Sequence, residues 1–201
     1  NSNRIGKAIG QRCDISKLED VKQAVQDCKN QLGSIDVLIN VAGILKMAHT
    51  DELSDEIWHS TLAINLTGTF YLCRESLPHL IESKGNIVNV SSTSALKGLP
   101  WGAAYAASKG GVSAMTKAIA VEYAKRGVRA NTVCPGSILT NMQSQAPLPE
   151  NADMSLIPRL SSLDKFRGPE AVASVIALLA SESDGAHITG AQYVIDGGTT
   201  A

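Results

Sequence analysis

Asn86-Ile87-Val88-Asn89-Val90-Ser91, the loop from Ser92 to Trp101, the stretch 102–126, and Val128 to Cys134 together decide the fold. The first and last of these runs are short and nearly continuously apolar, which is how a strand buried on both faces reads. Between them, Val112, Met115, Ile119 and Tyr123 recur at helical spacing on one face. Two such strands joined by so long a helix must run parallel, through a right-handed crossover. Working outward, the same alternation repeats. Residues 7–13 read as a short strand. Ser16-Lys17-Leu18-Glu19 has capping-box spacing and opens a helix carrying Leu18, Val21, Val25, Cys28 and Leu32, closed by Gly33. Ile35 to Ile39 is a strand. A helical region over 54–83 is expected to break near Thr61 and bend at Pro78, a helix follows over 169–181, and Gln192 to Ile195 is the last strand. The expected fold is α/β, a doubly wound parallel sheet of Rossmann-like type, in one domain spanning 1–201.

Composition removes several function classes. Of 201 residues, 44% are apolar and 18% charged, too hydrophobic for a disordered chain. Eighteen Lys and Arg against 19 Asp and Glu leave a net charge of −1, so no electrostatic case exists for a nucleic acid or an anionic membrane as partner. The longest strongly apolar stretch, Ala171 to Ala180, falls far short of the roughly 20 residues a spanning helix needs. Cys13, Cys28, Cys73 and Cys134 form no Cys-x-x-Cys pair and share no metal-ligand spacing with His49, His59, His79 or His187. No metal is expected, and four cysteines are ordinary for a reducing compartment.

Ligands of such sheets bind beyond the carboxyl ends of the strands. Those ends carry small and polar residues here: Asp14, Asn40-Val41-Ala42-Gly43, Ser91-Ser92, and Pro135-Gly136 with Thr140. In the helix after the Ser92 loop, Tyr105 and Lys109 stand four apart on one face. An ammonium beside a phenol lowers its pKa toward neutrality, where it exchanges protons at a useful rate. Ser92 lies thirteen residues before Tyr105, placed to hold a carbonyl oxygen while the phenol protonates it. With this composition a Tyr-x-x-x-Lys arises by chance about 0.2 times, and with the preceding serine roughly 0.02 times.

On these residues the chain resembles the short-chain dehydrogenase/reductase family, of the single-domain type, from about Asp14 to Gly198. Asn40 to Gly43 is similar to that family's Asn-Asn-Ala-Gly segment, with Val41 for the second Asn. Asn65, in Ile64-Asn65-Leu66-Thr67-Gly68, falls where the family places a catalytic asparagine. Ser92, Tyr105 and Lys109 match the rest of its tetrad, and Asp196-Gly197-Gly198 its closing motif. The resemblance implies reversible hydride transfer between NAD or NADP and an alcohol/carbonyl pair. Tyr105 is then the acid/base and Ser92 orients the substrate oxygen. Lys109 tunes Tyr105 and holds ribose hydroxyls, and Asn65 holds a proton-relaying water. Asp14 and Ile15 would meet the adenine, and Asn40, Ala42 and Gly43 the adenosine side. Pro135, Gly136, Ile138 and Thr140 would lie against the nicotinamide. Leu45, Ser94, Trp101 and Met142 are expected to wall the substrate pocket, and the aperiodic stretch 141–168 to form a lid.

The family's Gly-rich phosphate turn has no counterpart in Asn1 to Gly10, and the chain does not open on Met. By position, the expected missing piece is strand–helix–strand, roughly 40–60 residues at the size of a βαβ unit. The residue that selects NAD or NADP normally lies there, so that choice is unread. Two functions follow from the resemblance. One is a cytoplasmic homo-oligomeric oxidoreductase, a dimer or homotetramer joined through helices 54–83 and 102–126. The other is an inactive homologue acting as an assembly or binding partner.

Overall fold

A parallel sheet with helices on both faces carries the molecule, and each layer follows from the apolar runs above. The structure, a computed structural model, describes residues 6–163 and 165–201. Asn1 to Ile5 and Asp164 lie outside the described residues. The elements are α1 (Leu18–Leu32), β1 (Val37–Asn40), α2 (Asp55–Leu62), α3 (Thr69–Ser83), β2 (Asn86–Val90), α4 (Ala103–Tyr123), β3 (Arg129–Pro135), α5 (Asn141–Ser144), α6 (Glu170–Ala180) and β4 (Gln192–Ile195). The strands stand in the order β1-β2-β3-β4, all parallel, with Val37 opposite Asn86, Asn86 opposite Arg129 and Thr132 opposite Gln192.

Because side chains alternate along a strand, neighbours on β2 serve opposite faces. Ile87 joins Val21, Val25, Leu77, Leu80, Ile119 and Val128 in the core shared with α1, α3 and α4. Val88, the next residue, joins Val133, Val172 and Leu179 beneath α6. No described helix is long and apolar enough to cross a membrane.

Three local expectations change. Residues 7–13 form no strand; they lie along α1, with Lys7 donating to the Gln31 carbonyl (3.5 Å) and Gln11 to Asp27 (2.8 Å). An extended segment becomes a strand only when a neighbour answers its backbone, and among the described residues β1 is bonded to β2 alone. The capping box does not form, because the Ser16 hydroxyl and amide both donate to Asp14 Oδ1 (2.6 and 3.1 Å), leaving Lys17 as an N-cap without a side-chain bond. Finally, Pro78 is carried inside α3 without interrupting it; the break in this region is instead a π-helical stretch, Ala63–Gly68, just beyond the expected Thr61.

Candidate active site

The π-helical stretch adds a residue to the turn, a device found mostly at functional sites. Here it holds Asn65, which is fully buried. Its Oδ1 accepts from the Ile44 amide (2.8 Å), and its Nδ2 donates to the Ile44 carbonyl (2.9 Å) and to Ser108 Oγ (3.1 Å). The carboxamide thus staples the segment after β1 to α4. Ser108 Oγ in turn donates to the Tyr105 carbonyl (2.7 Å). Sequence reasoning passed over Ser108, although its place three residues after Tyr105 was a readable signal.

Lys109 is buried, and its Nζ donates to the Val90 carbonyl at the end of β2 (2.8 Å). Burial pushes its ammonium down to about 8, with the Cys134 thiol opposing. Tyr105 is also buried, and its ring centroid lies 5.8 Å from Lys109 Nζ. Burial raises the phenol above its ordinary range, while a hydrogen bond with Ser92 draws it back. That differs from the expected lowering by Lys109. The physical reason is direction: the ammonium points at a carbonyl, and desolvation outweighs what remains. Ser92, N-cap of the short turn Thr93–Ala95, accepts from the Ser94 amide on its Oγ (3.1 Å). Its hydroxyl proton is therefore left for another oxygen.

A polar layer no motif announced supports these groups. Ser91 Oγ donates to the Lys109 carbonyl (2.8 Å) and accepts from Ser113 (2.8 Å). Burial raises the Cys134 thiol, with the neighbouring Ser91, Ser113 and Ser92 drawing it back. Deeper, Asn40 Nδ2 donates to Asn89 Oδ1 (2.8 Å), and Asn89 Nδ2 to Thr116 (2.9 Å), around Cys73. Asn40, expected to line the adenosine side, thus turns its amide nitrogen into the core, and its Oδ1 has no partner.

The other expected residues divide into two sets. Gly43 comes to the tetrad: a Cβ on it would stand 3.1 Å from Asn65 Oδ1 and 3.4 Å from Lys109 Nζ. Ile15 packs at the π-helical stretch, its carbonyl 2.7 Å from where a Cβ on Gly68 would be. Asp14 is exposed, and its carboxylate, held low by the Ser16 bonds, is turned onto its own loop. Ala42 is exposed beside Gly43. Pro135 and Gly136 close β3, the Gly136 amide donating to Ile195 (2.9 Å). Ile138 leans on the α6 core and bridges Arg167, and Thr140 is exposed; no bond joins either to the tetrad among the described residues. Ser94 is buried with an unpartnered hydroxyl. Trp101 is buried at φ 59, unusual for so bulky a residue, and its carbonyl accepts from Ala48 (3.0 Å). Leu45 and Met142 are half-buried.

Whether a nicotinamide dinucleotide suits this site rests on Lys109. Its ammonium spends one N–H on Val90 and faces Gly43, where no side chain fills the space. Two donors remain for ribose hydroxyls, so the residues fit such a group.

A family profile described as enoyl-(acyl carrier protein) reductase matches residues 2–200. The chain is 38% identical over 196 residues to the D-threitol dehydrogenase of Mycolicibacterium smegmatis, covering 97% of this chain and 74% of that protein. It is 38% identical over 197 residues to the meso-2,3-butanediol dehydrogenase of Serratia marcescens, covering 98% and 76%. The crystal structure of a dehydrogenase/reductase from Sinorhizobium meliloti superposes with a TM-score of 0.86 at 30% identity, over 98% of this chain and 76% of that one.

Proposed function

The chain belongs to the short-chain dehydrogenase/reductase family, NAD- or NADP-dependent oxidoreductases acting on alcohol/carbonyl pairs, and from that premise we propose which of its residues do the work. Tyr105 is the acid/base: it protonates the carbonyl oxygen in reduction and takes the hydroxyl proton in oxidation. The dinucleotide, when bound, supplies or accepts the hydride. Ser92 holds the same oxygen, its own Oγ oriented by the Ser94 amide. Lys109 binds ribose hydroxyls beside Gly43. Asn65 fixes Ile44 against α4, so that the cofactor side and Tyr105 keep one spacing. Around them, Asp14, Ile15, Asn40, Ala42, Pro135, Gly136, Ile138 and Thr140 form the cofactor bed. Leu45, Ser94, Trp101 and Met142 wall the substrate, and the segment 141–168 covers it. The observation that carries this reading is that Asn65 ties Ile44 to Ser108 and, through it, to the Tyr105 backbone, with the Tyr105 ring packed by the buried Lys109 ammonium. An assembly partner without catalysis would not need it.

The reading extends to a single cytoplasmic domain assembling as a dimer or tetramer through 54–83 and 102–126, supported by exposed Phe70 and Val121 on those stretches. Tyr105→Phe tests the core of it. NAD(P)H oxidation by a panel of 2,3-butanedione, cyclohexanone and acetoacetyl thioester should fall about 10²–10⁴-fold, the usual share of an acid/base. Cofactor affinity should hold. Retained turnover removes Tyr105 from the role.

A further inference from the structure

Lys97 lies five residues past Ser92, in a turn the proposed chemistry does not use. Its amide donates to the Thr93 carbonyl (3.0 Å), so the root of its side chain is fixed to the Ser92 loop. The ammonium then leaves that loop and donates to two distant carbonyls: Arg159 (2.7 Å), near the end of the turn Met154–Leu160, and Thr199 (2.9 Å), after β4. Burial lowers its pKa, with the Asp196 charge opposing. The next carbonyl, Leu160, is taken by Ser137 Oγ (2.7 Å) from the loop after β3. Two consecutive carbonyls of a helical end, groups left without helical partners, are thus captured by side chains from two different strand-end loops.

The two distant segments are also seated on each other. Leu163 donates its amide to the Gly197 carbonyl (2.9 Å). Gly197 and Gly198 adopt φ 60 and 84, and a Cβ on either would come within 2.9 Å of Ser162 or Leu163. Lys97 therefore meets the cover and the chain end where they are already joined, and ties both to the loop that carries the serine.

We propose that Lys97 is a positioning residue, a clasp that closes the 154–163 segment and the 196–199 turn over the substrate end of the site. An ammonium suits this task because its three donors can serve carbonyls in different directions, and charge-assisted bonds are stronger than neutral ones. The inference rests on the reading of 141–168 as the substrate's cover, and it adds what fastens that cover.

The experiment compares the parent with Lys97→Met, which keeps most of the stem and loses the charge, and with Lys97→Arg. Limited chymotrypsin digestion at Leu163 and Phe166 reads the clasp directly. Cleavage should be about tenfold faster in Lys97→Met, as expected for losing a charge-assisted bond that closes a local segment, and nearer the parent in Lys97→Arg. Steady-state reduction of 2,3-butanedione reads its consequence: KM up by about three- to tenfold and kcat within about twofold. Ser137→Ala, which frees the adjacent carbonyl, should quicken cleavage the same way. Unchanged cleavage in Lys97→Met overturns the clasp. Faster cleavage with unchanged KM overturns its link to substrate. A parent that reduces no carbonyl counts against the proposed function instead, and digestion alone then decides the clasp.

Discussion

The site has two ends, and they are held by different parts of the chain. Around Asn65, Ser108 and Lys109 the side chains are buried, and their polar atoms are answered from another element or a neighbouring turn: Asn65 by Ile44, Ser108 by Tyr105, Lys109 by Val90. Along 138–166 the exposed side chains are mixed in chemistry, Met154 (64%) and Leu163 (83%) standing beside Asn151, Ser155 and Arg159. That stretch is held through its backbone, by Lys97 at Arg159, Ser137 at Leu160 and Gly197 at Leu163. The difference has a physical consequence. A buried polar network fails if one member changes, because its partner is left desolvated and unpaired. A segment anchored by carbonyls keeps its anchors whatever its side chains become, since every residue has a carbonyl. The proposed catalytic end is fixed by residue identity, and the proposed cover is free to vary in its side chains.

Variants at the two ends can break that contrast. The largest effect is expected for Lys109→Met: turnover falls about 10²–10⁴-fold by loss of the cofactor and proton-transfer geometry. It also has a stability signature. The native ammonium titrates at about 8 against 10.5 ordinarily. Between those values the unfolded chain binds more protons, so this group adds stability as pH rises, and removes it as pH falls through about 8. The amount is roughly 3 kcal/mol. Cys73, raised from 9.0 to about 11 by burial, acts in reverse above pH 9. Denaturant midpoints from pH 8 to 9 should therefore rise in the parent relative to Lys109→Met; parallel curves would contradict the buried ammonium.

Next in size is Asn65→Ala, which unpairs the Ile44 amide and carbonyl together. A loss of about 2–4 kcal/mol by urea unfolding is expected from the unsatisfied groups, with turnover falling alongside. Asn89→Ala should cost about 1–3 kcal/mol for the orphaned Asn40 and Thr116 atoms, yet leave kcat of the folded protein near the parent's. Equal loss of activity would mean that the deep Asn40–Asn89 layer does more than support. The smallest effect belongs to the cover: Leu163→Ser should shift stability by no more than about 0.5 kcal/mol, as exposed substitutions do. A large shift there would erase the contrast between the two ends.

Most of the architecture was legible because periodicity reports burial. Gln192–Ile195 falls on the expected residues, β3 within one residue of its expected bounds and α4 within three. Residues 7–13 misled because an extended apolar pattern reports a tendency to pair, and pairing needs a neighbour that sequence does not name. The tetrad was legible as spacing along the chain, Tyr105 to Lys109 and Ser92 to Tyr105. Its supporting layer was not. Ser91, Ser113 and Cys134 meet across β2, α4 and β3, and nothing local distinguishes them from other small buried residues.

The sequence by itself determined the parallel α/β alternation and the residue types at the strand ends, because both depend on local patterns of apolar and polar side chains. Tertiary structure decided what those residues do to one another. It turned Lys109 toward Val90, so that burial and not the neighbouring charge sets the Tyr105 phenol. It brought Lys97 to carbonyls 62 and 102 positions away. Directions and desolvation belong to the folded arrangement, since a hydrogen bond depends on where its donor points and a pKa on which water has been removed.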